Sequence, residues 1–197
     1  ASRRGGCAQG VGRWKENCAC RIDGNKHPSQ AWRTPLREGL NTLANTLHEV
    51  YEREAIRLIP DPWAARDSYG TVVASDAHEL ERFTASVATL ATTDEDRVRA
   101  RELLELERDA LRMFTSCGWF FDDIAGIEAR VDLRYAARAI ALAGHQATPA
   151  EAELLDTLAH AVSNDRTAGT GRDIYLRSAR PSFPAPMRRP PDGRVKK

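Results

Sequence analysis

From Pro35 onward, apolar residues fall at Leu36, Leu40, Leu43, Leu47 and Val50, spacings of three and four that place them on one face of an α-helix. The pattern runs to about Ile59, where Pro60 and Pro62 cannot continue it. The same period returns several times. Asp61 can cap a second helix anchored by Trp63, Val72 and Val73. A third spans about Asp76 to Leu90 through Leu80, Phe83 and Val87. Thr92-Thr93-Asp94-Glu95-Asp96 reads as a cap followed by acidic first-turn residues, which the helix dipole favours. The helix after it carries Leu103, Leu106, Ala110, Met113 and Phe114 and is expected to end near Cys117-Gly118. Ile127 to Ala143 is helical again, with Ile127, Val131, Tyr135 and Leu142 inward. Thr148-Pro149-Ala150-Glu151 predicts a capping box opening another helix through Leu154, Leu155, Leu158 and Val162. A short helix around Ile174, Tyr175 and Leu176 closes the series. No strand and no repeat is convincing. These readings predict an all-α, multi-helix bundle over residues 35–181.

Residues 1–34 differ in kind. They are glycine-rich, hold three of the four cysteines and keep no period, which predicts a long loop packed on the bundle. Residues 182–197, rich in proline and basic side chains, read as a disordered tail. With Ala at position 1, the chain reads as a fragment whose upstream partner is absent.

Charge limits the function classes. The 29 Lys and Arg nearly cancel the 28 Asp and Glu, so there is no electrostatic case for nucleic acid. No apolar run approaches the roughly 20 residues that cross a bilayer. Neither a signal peptide nor a regular disulfide framework is visible, and these absences point to a reducing cytoplasm.

One segment breaks the helical rule. Within MFTSCGWFFDDIAGIE, Met113 to Glu128, the rings of Trp119, Phe120 and Phe121 run into Asp122 and Asp123, bracketed by Gly118 and Gly126. Glycine lowers helix stability by about 1 kcal/mol against Ala. Paired carboxylates beside three rings set costly polarity next to very buryable groups. Such a break suits a binding wall, with Trp119, Phe120, Asp122 and Asp123 toward a ligand. It also suits a packed helix corner whose aspartates cap the next helix. Glycoside hydrolysis needs two carboxyl groups about 5 to 9.5 Å apart across one bond. Adjacent helical residues point about 100° apart, so Asp122 and Asp123 are not a catalytic pair.

Other constellations carry less. Trp14 and Trp32 in the loop can stack on a sugar ring or plug the loop onto the bundle. Cys7, Cys18, Cys20 and His27 are of the types that structural zinc takes, but Cys18 and Cys20 stand one residue apart rather than two. That spacing favours reduced thiols, with zinc as the alternative, so neither metal nor cofactor is expected. Glu128 with Asp132, and Arg130, Arg134 and Arg138, read as stripes on a solvated helix. His48 and the other helical histidines stand without an obvious partner.

Two longer segments resemble a known family: CAQGVGRWKENCAC (Cys7 to Cys20) with QAWRTPLREGL (Gln30 to Leu40), and MFTSCGWFFDDIAGIE with LRYAARAI (Leu133 to Ile140). They are similar to domain of unknown function 3536, the helical C-terminal region of proteins similar to glycoside hydrolase family 57. The family carries His where this chain has Gln9. The resemblance implies a division of labour. In family 57 enzymes a (β/α)₇ barrel holds the catalytic Glu and Asp, and a helical region lines the substrate cleft. The barrel is not in this sequence, so no catalytic residue carries over. By analogy with the cleft-bordering Asp-Trp-Phe segment of those enzymes, Trp119 and Asp122 would face an α-glucan, with Trp14 and Trp32 as a second wall. The implied partner is an upstream catalytic barrel. The alternative is a non-catalytic module that clamps a protein partner.

Overall fold

A computed structural model describes residues 11–18 and 29–180. Its described residues form an all-α fold, without a strand beyond one isolated antiparallel bridge between Val162 and Thr170. The elements are α1 (Arg33–Ala55), α2 (Pro62–Tyr69), α3 (Ala77–Val87), α4 (Asp94–Arg112), α5 (Cys117–Phe120), α6 (Ile127–Ala143), α7 (Thr148–Leu158) and α8 (Gly171–Ile174). The last of these runs on as a π-helical turn, Tyr175–Ala179. A 3-10 turn, Gly12–Trp14, interrupts the N-terminal arm. None of these helices is long and apolar enough to cross a membrane.

Three long helices make the frame. Helix α1 buries Leu36, Leu40, Leu43, Leu47 and Val50, the face marked by its period. It packs against α4, α6 and α7. Gly39 permits the last contact, because a Cβ there would stand 3.0 Å from Leu154 Cδ1. Helix α6 turns buried alanines, Ala129, Ala136, Ala137 and Ala139, inward, and small side chains let α4 approach closely. Peripheral α3 fully buries Thr84 alone.

Local chemistry explains several boundaries. The side chain of Thr93 accepts from Asp96 N–H, and Asp96 returns the bond to the Thr93 backbone, a capping box for α4. Asp61 and Asp76 cap α2 and α3. Gly144, at φ 68°, ends α6 in a conformation that favours glycine. The expected box at Thr148 is absent. The chain winds through a 3-10 turn, Gly144–Ala147, straight into α7, so Thr148 lies inside the helix. Glu151 instead accepts from the Tyr175 hydroxyl at 3.0 Å.

The reading of solvated stripes also needs correction. Asp132 is fully buried. Arg138 reaches across to Glu105 and Asp109, both acids on the inner side of α4. His48 is not alone either: its Nδ1 meets both oxygens of the buried Glu107, at 2.8 and 3.0 Å.

Candidate functional site: the aromatic-acidic clasp

Helix α4 ends at Arg112, six residues before the expected glycine, and the chain turns through Thr115 and Ser116 into the single turn of α5. That turn carries Trp119 and Phe120 to the foot of α1. Gly118 is required there. A Cβ on it would fall far inside contact distance of the Asp132 carboxylate, which packs against the turn from α6. The Thr115 hydroxyl donates to Asp132 Oδ1, while Oδ2 is buried without a hydrogen-bond partner. Burial therefore pushes the Asp132 carboxyl up to about 7, with the Thr115 hydrogen bond opposing only part of the shift.

Trp119 lies inside, 0 % exposed, and stacks on Trp32 with centroids 6.4 Å apart and planes 19° from parallel. Trp32 is 1 % exposed. The Arg37 guanidinium covers Trp119 at 5.8 Å. Neither indole presents a face to solvent, so the expected outward wall is replaced by an internal stack. The reason is area: two indoles bury more apolar surface against each other than either could against a wet crevice.

The carboxylates hold this stack to its surroundings. Asp122, 6 % exposed, accepts from Gln30 Nε2 at 2.9 Å, and its backbone carbonyl accepts from Trp32 Nε1 at 3.3 Å and Asn164 Nδ2 at 3.0 Å. Arg33, wholly buried, donates to Gln30 Oε1 at 2.8 Å, Phe121 O at 3.2 Å and Cys18 Sγ at 3.4 Å. Its burial lowers the guanidinium below its ordinary value, opposed by charge interaction with Cys18 and Asp122. From the arm, Arg13 donates to Phe120 O at 3.1 Å. Asp123 points the other way. Its Oδ1 accepts from Ala125 N–H and the Ser163 hydroxyl, both at 2.7 Å, and its Oδ2 from Asn164 N–H at 2.5 Å. Asn164 in turn exchanges two hydrogen bonds with the Ser29 backbone.

One short segment thus pins the N-terminal arm through Asp122 and the loop before α8 through Asp123. Among the residues singled out in the sequence, Trp32, Trp119, Asp122 and Cys18 are brought together. Trp14 is half-buried against the core, and Phe120 is the exposed ring, at 39 %. Cys7, Cys20 and His27 lie outside the described residues. Among the described ones, no cluster of three or more His, Cys, Asp or Glu is placed to hold a metal. Gln30, Arg33 and Asn164 were not foreseen as partners. Their signal was only the place of Gln30 and Arg33 beside Trp32 in QAWR. Chemically the arrangement positions backbone and rings, since the acids are engaged by protein donors.

The fold and clasp define an all-α domain whose arm and aromatic turn are locked as one unit. The chain belongs to the family described as domain of unknown function (DUF3536), whose model matches residues 29–188. The matched span holds Gln30, Arg33, Trp119, both aspartates and Asn164. No curated protein and no solved structure matches the chain.

Proposed function

We propose that this chain is the helical C-terminal region of a carbohydrate-active protein similar to glycoside hydrolase family 57, acting in the cytoplasm beside an upstream catalytic barrel. In this reading it supplies a fixed wall of an α-glucan cleft and no catalytic group. The resemblance of its two long motifs supports the assignment. The observation that carries the mechanism is the exposed Phe120 ring with the Arg13 guanidinium 5.0 Å from its centroid, held where Arg13 also binds the Phe120 carbonyl. Phe120 would stack on a sugar face, with the buried Arg13 beneath it fixing the ring. Trp119, Trp32 and Asp122 act behind them as positioning residues.

The test joins this region to its native upstream sequence and compares Phe120→Ala with wild type for glucan binding and hydrolysis. A several-fold rise in KM at unchanged thermal stability is expected. Unchanged kinetics would overturn the cleft reading, and loss of barrel association with intact glucan binding would favour the clamping module instead.

A further inference from the structure

A second feature lies away from the clasp, between α2 and the C-terminal half of α4. A cleft of about 350 Å³ opens there, within the size range of small-molecule sites. Its apolar lining comes from Val73, Leu104 and Leu111, and Arg66, Arg108 and Arg112 also line it, with Asp67 as the one lining carboxylate.

The three arginines differ in how they are held. Arg66 pairs with Asp67 at 2.6 Å and stands 3.7 Å from Glu107. Arg108 is fixed by Glu105 at 2.6 Å and Asp109 at 3.4 Å, acids that are also engaged by Arg138. Arg112 has no carboxylate partner among the described residues, and its guanidinium lies 5.3 Å from the Tyr135 ring centroid. Tyr69, whose buried hydroxyl donates to Glu105, also lines the cleft. An apolar slot lined by three arginines, one of them without a carboxylate partner among the described residues, is complementary to a body without charge that ends in an anion.

We propose that this cleft binds a small amphipathic anion, its apolar body along Val73, Leu104 and Leu111 and its carboxylate or phosphate on Arg112. The site shares no lining residue with the clasp. Calorimetric titration of the whole chain with octanoate, octyl phosphate, 1-octanol and inorganic phosphate tests it. At least one octyl anion should bind tenfold or more tighter than both octanol and inorganic phosphate, and the tighter of the two names the head group. Arg112→Gln should weaken that binding about tenfold and Leu111→Gln several-fold, both at exposed positions where folding is checked by circular dichroism. Arg97→Gln, near the other end of α4, should leave it unchanged. Equal binding of octanol, indifference to Arg112, or no binding of either octyl anion overturns the proposal.

Discussion

Gly118 and Asp132 share one volume: the buried carboxylate on α6 occupies the place where any side chain at position 118 would begin. The glycine that looked like a helix breaker is therefore a packing requirement. Gly118→Ala should destabilise the fold by about 1 to 3 kcal/mol, the usual cost of overpacking a closed site. Thermal melts should show Gly118→Ala/Asp132→Ser recovering part of the loss, because the shorter side chain vacates that volume. Additive losses in the double variant would mean the two positions do not meet.

The same carboxyl gives the fold a pH dependence of unusual sign. Its folded value is about 7 against an ordinary 3.8, because it is buried with one lone hydroxyl partner. Between these values the native state holds a proton that the unfolded chain releases. Stability contributed here is thus full at the acid end, falls as pH rises toward 7, and levels off above it. Asp132→Asn removes the titration and nearly keeps the shape. Its melting temperature minus that of wild type should climb from pH 4 to pH 7 and then stay flat. A difference that is constant with pH would refute the assignment.

The bounds of α6 were legible, and so was the cap of α4 at Thr93, because spacing and capping are local chemistry. The bundle as a class followed from them. The inward face of α6 was not legible, since Ile127 is 74 % exposed and Leu133, Ala136 and Ile140 are buried instead. What the sequence hid depends on distant partners. Asp122 is satisfied by Gln30, 92 positions away, and no periodicity links the two. Glu105, Glu107 and Asp109 look like a polar helix face until Tyr69, His48 and Arg138 arrive from other helices. Thr148 failed for a related reason. Its motif suits a free helix start, but the preceding turn leaves none. The ring cluster was visible as an anomaly, yet its inward direction was set by Trp32, which only the folded arm brings alongside.

Asp122 and Asp123 should separate cleanly when removed one at a time. Asp122→Ala leaves the Gln30 amide without its carboxylate and removes one of the opposing charges near Arg33, at a cost of about 2 to 3 kcal/mol. Hydrogen exchange should then accelerate at residues 12–18 and 29–33, the described parts of the arm it holds. Asp123→Ala should spare the arm's Gln30 and Arg33 contacts and accelerate exchange around Ser163 and Asn164, its own donors. Identical exchange maps for the two variants would show that the clasp works as a single knot.

Trp119 and Phe120 are neighbours with opposite burial, and substitution should expose that difference. Trp119→Ala empties the centre of the stack with Trp32 and should cost about 3 to 5 kcal/mol, the range for deleting a buried ring. Any activity lost in that variant would follow from unfolding, so it says nothing of substrate contact. Phe120→Ala removes a ring that is partly in solvent and touches Phe121 and Arg13, and should cost under about 1 kcal/mol. Denaturant titration of both variants decides it: a Phe120→Ala loss comparable to that of Trp119→Ala would mean the exposed ring is structural too, leaving the aromatic turn with no group to offer a ligand.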